Sequence, residues 1–297
     1  MLRNTSQQSK SKYQVVGQGQ APHATDTALQ ASPAPDVEFV LPAHDEERRI
    51  GLAVTLLKQW LRGNAQFTWR VTVADSASTD QTLAIASRMQ RQDPTHVGVV
   101  HLDEKGHGRA LKRAWLASDA RVVAYMDVDL STDLDAIPAL VTPLLAGSAD
   151  VAYGSRLSRG SRTTRCLTRE LMSRCYNLLL NLAFSYHVTD APCGFKAMRT
   201  QVARTFLPIV QDDGWFFDTE LLIVCRQAGL TMREVPVTWI EDANTPIDIL
   251  GTVRQDLAGI RRMRTAIRSH RLDAQIASVL PGAACYASPS SAVRISC

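Results

Sequence analysis

Four times in its first half the chain runs through an apolar segment, ends it in a polar cluster and continues with helical periodicity; no other feature narrows the fold so far. The units are VEFVL before PAHDEERRI (42–50), WRVTV before ADSASTD (74–80), VGVVHL before DEKGHGRAL (103–111) and RVVAYM before DVDLSTD (127–133). After the first, Ile50, Val54, Leu57 and Leu61 recur on one helical face, with acidic residues in the opening turn and Gly63 at the close. After the second, Ser78 or Thr79 is placed to cap a helix bearing Leu83, Ile85, Ala86 and Met89. Strand–helix units in series predict an α/β fold, a Rossmann-like and mostly parallel sheet flanked by helices. Such sheets bind ligands in the crevice outside the carboxyl ends of their strands, where all four clusters fall.

With 297 residues, 45% hydrophobic and 21% charged, the chain can bury one sizeable core. A single domain is expected over 36–268. Residues 1–35, rich in Gln, Ser, Ala and Pro, and residues 269–297, mostly small and polar, are expected to be disordered tails. Neither tail carries an apolar run long enough for a signal peptide or a membrane span. The six cysteines form no CxxC pair, which argues against a zinc or redox motif and suits a reducing cytoplasm.

The fourth cluster carries the chemistry. A strand alternates its side chains with period two, so Asp127 and Asp129 leave one face and can reach one divalent cation. Small hard cations take one or two carboxylates plus phosphate oxygens and water, the arrangement of a metal-bridged diphosphate. Charge is uneven although the net is only +4. Between Gly154 and Arg174 stand Arg156, Arg159, Arg162, Arg165, Arg169 and Arg174 against a single acid, Glu170. A second group, Arg254, Arg261, Arg262, Arg264 and Arg268, lies on the last predicted helix, which spans Ile247 to Ile267. Arg156 ends the apolar strand DVAYGSR on the same side of the sheet as the aspartates, where guanidinium forks suit phosphate. Without aromatic interleaving or a binding module, nucleic acid is not the expected partner.

Taken in order, PAHDEERRI, ADSASTD, EKGHGRAL, MDVDLSTD, AYGSR, DAPCGFKAM and GWFFDTELL resemble the A-fold family 2 glycosyltransferases. Within them the chain is most similar to the polyprenyl- and dolichyl-phosphate enzymes, and FDTELL with VPVTWIED looks like the dolichyl-phosphate β-glucosyltransferase branch. The resemblance covers about residues 36–268. It implies that Pro42, Ala43 and Glu46 line a nucleoside pocket, and that Asp75 accepts a hydrogen bond from the base. A carboxylate there reads a ring N–H, which uracil and guanine both offer; the alternative is a helix cap. The resemblance also implies that Asp127 and Asp129 hold Mg2+ or Mn2+ against the diphosphate of a nucleotide-sugar donor, and that Lys105, Gly106 and Gly108 form a loop near it. UDP-glucose is the expected donor, with GDP-sugars the other option.

Inverting transfer normally needs a base, but a lipid phosphate with a second pKa near 6 is already a nucleophile. Catalysis would then rest on positioning and on neutralising the departing diphosphate, through the metal and arginines such as Arg156 and Arg169. Asp218 and Glu220 would orient sugar or acceptor. With a sugar hydroxyl as acceptor, Asp218 would be the general base; otherwise it caps the helix carrying Leu221, Leu222 and Val224. The stretch YNLLLNLAF (176–184) is too short to cross a bilayer; it lies either in an anionic membrane surface or in the core. The expected setting is the cytoplasmic face of a membrane, met directly or through a membrane partner protein, in envelope glycan biosynthesis. Two departures stand out: Ser131 occupies a position where the mannosyl branch often has glutamine, and acids fill VPVTWIEDANTP where some relatives carry basic residues. Rival readings are a non-catalytic nucleotide-binding module and, remotely, a haloacid-type phosphohydrolase, whose DxDx(S/T) would end the first strand of its core. A nicotinamide fold fails for want of GxGxxG between strand and helix.

Overall fold

The computed structural model describes residues 33–164, 167–184, 188–240 and 249–280, without the side chains of 167–172 and 249–252. In chain order the elements are β1 (Val37–Ala43), α1 (Ile50–Asn64), β2 (Trp69–Ser76), α2 (Thr82–Gln92), β3 (Val97–Leu102), α3 (His107–Ala117), β4 (Val122–Met126) and α4 (Ile137–Leu145). There follow β5 (Val151–Ser155), β6 (Arg162–Thr164), α5 (Leu167–Phe184), β7 (Phe195–Arg199), α6 (Thr200–Phe206) and α7 (Phe217–Gln227). The last are β8 (Met232–Pro236), β9 (Thr238–Ile240), α8 (Ile249–Arg268) and α9 (Arg271–Val279).

The four expected units form as a sheet of order β3-β2-β1-β4-β7-β5-β8. It is parallel except for β7, which runs antiparallel to both β4 and β5. The chain moves outward from β1 to β3 and then returns to place β4 on the other side of β1, opening the crevice where the strand order reverses. Period-two alternation divides β1 between two cores: Phe39 and Leu41 pack with Ile50, Val54 and Leu57 of α1, while Val40 faces Leu111 and Trp115 of α3.

Local details differ from expectation in ways that turn chemistry explains. Gly63 lies inside α1, which closes on Ala65, and the acids expected in its opening turn precede it as the loop Asp45–Glu47. α2 begins at Thr82, later than Ser78, because Asp80 Oδ1 accepts the Thr82 amide at 2.8 Å. α5 is divided along its length: Asn177, Leu180 and Phe184 are buried, while Leu178 is 60% and Leu182 73% exposed. The expected disorder of 269–297 is corrected for its first part. α9 forms there, and Leu272 and Ile276 enter the core shared with α6 and α7, an i, i+4 apolar pair that a composition-based reading passes over. Residues 281–297 lie outside the described part, as do 1–32 of the other expected tail. β6 and β9 form a separate parallel ribbon whose Trp239 bridges Thr132, so the ribbon clasps the segment that follows β4.

Truncation after Ser269 removes two buried side chains and is expected to lower stability by about 3 kcal/mol. Urea unfolding of the truncated and full chains measures it; equal midpoints would mean that α9 adds nothing.

Candidate active site

The carboxyl ends of the first three strands are in register, with Ala43 opposite Asp75 and Asp75 opposite His101. In a pleated sheet such neighbours project from the same face. The loop after β1 is stitched to the loop after β2: Asp45, at φ 55°, accepts the Thr79 amide at 2.7 Å, and the Glu46 amide donates to Thr82 Oγ1 at 2.7 Å. Pro42 is half-buried and Ala43 buried beside them. Asp75 is wholly enclosed and does not cap α2, whose first amide, that of Thr82, donates instead to Asp80 Oδ1. His101 Nδ1 lies 2.6 Å from its Oδ2, whereas its Oδ1 has no partner.

Asp127 and Asp129 follow β4 in a tight turn closed by Leu130 N–H donating to Asp127 O at 3.1 Å, with Leu130 at φ 49°. Asp129 Oδ1 accepts the Ser131 amide at 3.0 Å. Asp127 is backed by Gly194, where an added Cβ would stand 1.9 Å from Oδ2, so the loop before β7 has no room for any side chain. Burial pushes Asp127 up to about 7; His107 opposes the shift, and Asp129 and Asp218 add to it. Burial also raises Glu46 against the pull of Arg49, and Asp129 adds to that shift, so Glu46 belongs to the same acidic neighbourhood. Among the described residues no three His, Cys, Asp or Glu gather as a metal cage. Two crowded carboxylates, one resisting ionisation, fit a hard cation that completes its shell with phosphate and water.

Beneath them lies a buried polar network. Lys196 Nζ is 2.9 Å from Asp218 Oδ1, His107 Nε2 is 3.2 Å from Oδ2, and the Tyr125 hydroxyl donates to Oδ1. Burial opposes ionisation of Asp218, but Lys196, His107 and Tyr125 outweigh it and hold the carboxyl at about 2. The His107 ring also stacks on Trp215 at 4.6 Å between centroids, and Trp215 is 59% exposed.

Several expected roles are corrected. Arg156 is no free phosphate clamp: Nε and Nη2 grip Asp190 at 2.7 and 2.8 Å, and its guanidinium lies 4.9 Å from the centre of the Trp239 ring. Glu220 faces no ligand; it is 1% exposed, accepts the amides of Gln211 and Asp212, and pairs with Arg262 at 2.7 Å. Gly106 and Gly108 make room for protein rather than ligand, since added Cβ atoms would stand 2.6 Å from Asp213 O and 2.5 Å from Phe217 Cβ. Lys105 beside them is exposed. The side chain of Arg169 lies outside the described residues.

His101, His107, Tyr125, Asp190, Lys196 and Trp215 carry no assigned role in the sequence analysis. A signal existed for two of them. His101 in VGVVHL and Lys196 in FKAMR are polar residues inside apolar strands, which fold only if a buried partner awaits them.

The sequence profile of Glycosyl transferase family 2 matches residues 38–207. Glycosyltransferase AglD of Haloferax volcanii is 34% identical over 220 residues, which are 72% of this chain and 35% of that protein, so the chain spans about a third of its length. The dolichyl-phosphate beta-glucosyltransferase of Drosophila melanogaster is 29% identical over 237 residues, 74% of this chain and 73% of that one. Glucosyl-3-phosphoglycerate synthase of Mycobacterium tuberculosis, solved with UDP, shares the fold at a TM-score of 0.58 and 23% identity, covering 78% of this chain and 80% of the other.

Because burial lifts the folded-state pKa of Asp127 above its unfolded value, the native protein binds the extra proton between about pH 4 and 7 and loses stability as pH rises through that window. Asp127→Asn should therefore raise Tm in EDTA by at least about 2 °C at pH 8, with the gain fading toward pH 4, while metal-dependent nucleotide binding disappears. Scanning fluorimetry reads both effects, and a gain that ignores pH would contradict the burial argument. Gly194→Ala should displace the Asp127 carboxylate and weaken metal-dependent nucleotide binding by about tenfold or more with the circular dichroism spectrum unchanged. Undiminished binding would mean that Asp127 is not a ligand.

Proposed function

The chain belongs to the family 2 glycosyltransferases, and on that premise we propose that it transfers glucose, with inversion, from UDP-glucose to a polyprenyl or dolichyl phosphate. The observation that carries this reading is the clamp on Asp218. A general base works best with a pKa near the operating pH and a free lone pair. Asp218, held at about 2 and engaged on both oxygens by Lys196, His107 and Tyr125, is too weak a base for that task. An acceptor that must lose a proton is therefore poorly served, whereas a phosphate monoester arrives as its own nucleophile. The dolichyl phosphate in the name of the fly relative supports the same choice.

In this reading the row of Ala43 and Asp75 receives the nucleoside, with Pro42 and Glu46 at its edge, and Asp127 and Asp129 would hold Mg2+ or Mn2+ at the diphosphate. When bound, that ion supplies Lewis-acid neutralisation of the leaving nucleoside diphosphate. Arg156, fixed on Asp190 yet close enough for Asp127 to raise its pKa, contributes a stationary positive charge. Asp218 tunes the field rather than moving a proton, and its contact with His107 fixes the ring on which Trp215 stacks.

No described helix is long and apolar enough to cross a membrane. Leu178, Leu179 and Leu182 of α5 and Val253 and Leu257 of α8 are nonetheless exposed, and Arg254, Arg261, Arg264 and Arg268 are exposed along α8. Apolar side chains beside arginines suit the interface of an anionic bilayer, so peripheral attachment at its cytoplasmic face accompanies the reading.

The test uses radiolabelled UDP-glucose with Mn2+ and compares polyprenyl phosphate, polyprenol and 3-phosphoglycerate as acceptors. Label should enter the organic phase with polyprenyl phosphate alone, and kcat/KM should fall about tenfold per unit below pH 6, as the acceptor gains its second proton. Equal transfer to polyprenol would restore Asp218 as a base and overturn the mechanism. Transfer to phosphoglycerate alone would overturn the acceptor, and no transfer with intact UDP binding would leave a nucleotide-binding module.

A further inference from the structure

Asp75 has an unusual surround for a carboxylate. It is fully enclosed; His101 holds Oδ2 from the next strand, and among the described residues Oδ1 has no donor. A buried acceptor left without a partner costs roughly 1–3 kcal/mol, more when it is charged, and folded proteins seldom leave one unmatched. The deficit sits at the carboxyl end of β2, in the row Ala43–Asp75–His101, on the crevice side of the sheet. From this row a chain of polar groups leads outward: Asp75 has no exposure, the His101 side chain is 23% exposed, and Asp103, 3.6 Å from His101 Nε2, is 70% exposed. His101 thus lies between the buried carboxylate and solvent.

We infer that His101 is a positioning residue for base selection: by occupying Asp75 Oδ2 it aims Oδ1 as a lone acceptor that a ring N–H satisfies and a ring nitrogen lone pair opposes. The inference rests on the nucleotide-donor reading above and deepens it. With its Nδ1 donating to Oδ2, the imidazole fixes the carboxylate rotamer and leaves Asp75 no route to satisfy Oδ1 internally. A base bearing a ring N–H supplies the missing donor. Uracil does so through N3–H, whereas cytosine and adenine offer a ring acceptor at the corresponding edge and would meet Oδ1 with repulsion. Without His101, Asp75 is free to rotate or take water on either oxygen, and the preference fades.

The experiment is calorimetric titration of the full chain, with Mn2+ present, using UDP, N3-methyl-UDP and CDP. Wild type should bind UDP at least about tenfold more tightly than either analogue. His101→Ala should weaken UDP about tenfold and leave the two analogues near their wild-type affinities, collapsing the discrimination. His101→Asn, whose amide nitrogen stands near the Nδ1 position, should restore it. A general loss of structure would weaken all three ligands alike and would not be rescued by asparagine, and that pattern would overturn the inference. Undiminished discrimination in His101→Ala would also overturn it while leaving base recognition by Asp75 intact. A wild-type protein that binds UDP and N3-methyl-UDP equally, or binds no UDP, would remove the nucleoside reading itself and this inference with it.

Discussion

The ion pair between Lys196 and Asp218 underlies the rest of the site. It joins β7, the strand that runs against its neighbours, to the first turn of α7, and both side chains are almost wholly buried. Lys196 stands opposite Tyr125 in the sheet, and its ammonium lies 5.6 Å from the centre of that ring and 2.6 Å from the Cys193 carbonyl oxygen. A pair of this kind adds little net stability over well-packed apolar residues, yet breaking it costs about 3–5 kcal/mol because one charge is left alone. Its value here is positional. It draws α7 against the sheet where Gly108 admits Phe217, and it fixes a permanent negative charge beside Asp127.

The distribution of charge follows from that fixture. Asp127, Asp129 and Asp218 crowd together, while the nearest cations are already committed, Lys196 to Asp218 and Arg156 to Asp190. The result is an acidic point that a divalent ion would relieve, backed by guanidinium and ammonium groups too firmly held to reach out for substrate. Electrostatic preorganisation of this sort needs no reorganisation during reaction. Asp127 resists ionisation chiefly because it is buried, and Asp129 and Asp218 add to the effect, a local cost accepted where ligand binding removes it.

The sequence exposed the fold, and the strand ends where the candidate site lies, for one reason: the four strand–helix units repeat a pattern with two clear periods, and each places its polar cluster at the strand's carboxyl end. Asp75, Asp127 and Asp129 were legible because they punctuate apolar strands. Arg156 was legible as a strand-end arginine, but its partner Asp190 lies in a loop with no periodicity to flag it, so the guanidinium was misjudged as free. Glu220 looked like an active-site acid because its partner, Arg262, arrives from a helix some forty residues later. Gly106 and Gly108 were read as lying near the ligand, when the atoms that need the space belong to Asp213 and to Phe217 of α7, far along the chain. Long-range pairing of single side chains has no local signature, and there the reading stopped.

The reversal of strand order between β1 and β4 divides the work of the crevice. On one side, the row Ala43–Asp75–His101 consists of consecutive parallel strand ends, rigid and short-linked, suited to reading a flat base. On the other, β4, β7 and α7 gather the charges that the proposed function sets against the diphosphate, and the β6–β9 ribbon with its bridge from Trp239 to Thr132 closes that half. In the proposed function, base recognition thus falls to neighbouring strands of one repeating unit, and reactivity to residues contributed from across the chain. On that reading a change in the row would alter the nucleotide without disturbing the charges, and a change at Asp218 or the loops around it would alter the acceptor without disturbing the row. That separation explains how one fold can keep the reaction class legible in its strand ends while leaving the identity of the sugar and the acceptor to side chains that meet only after folding.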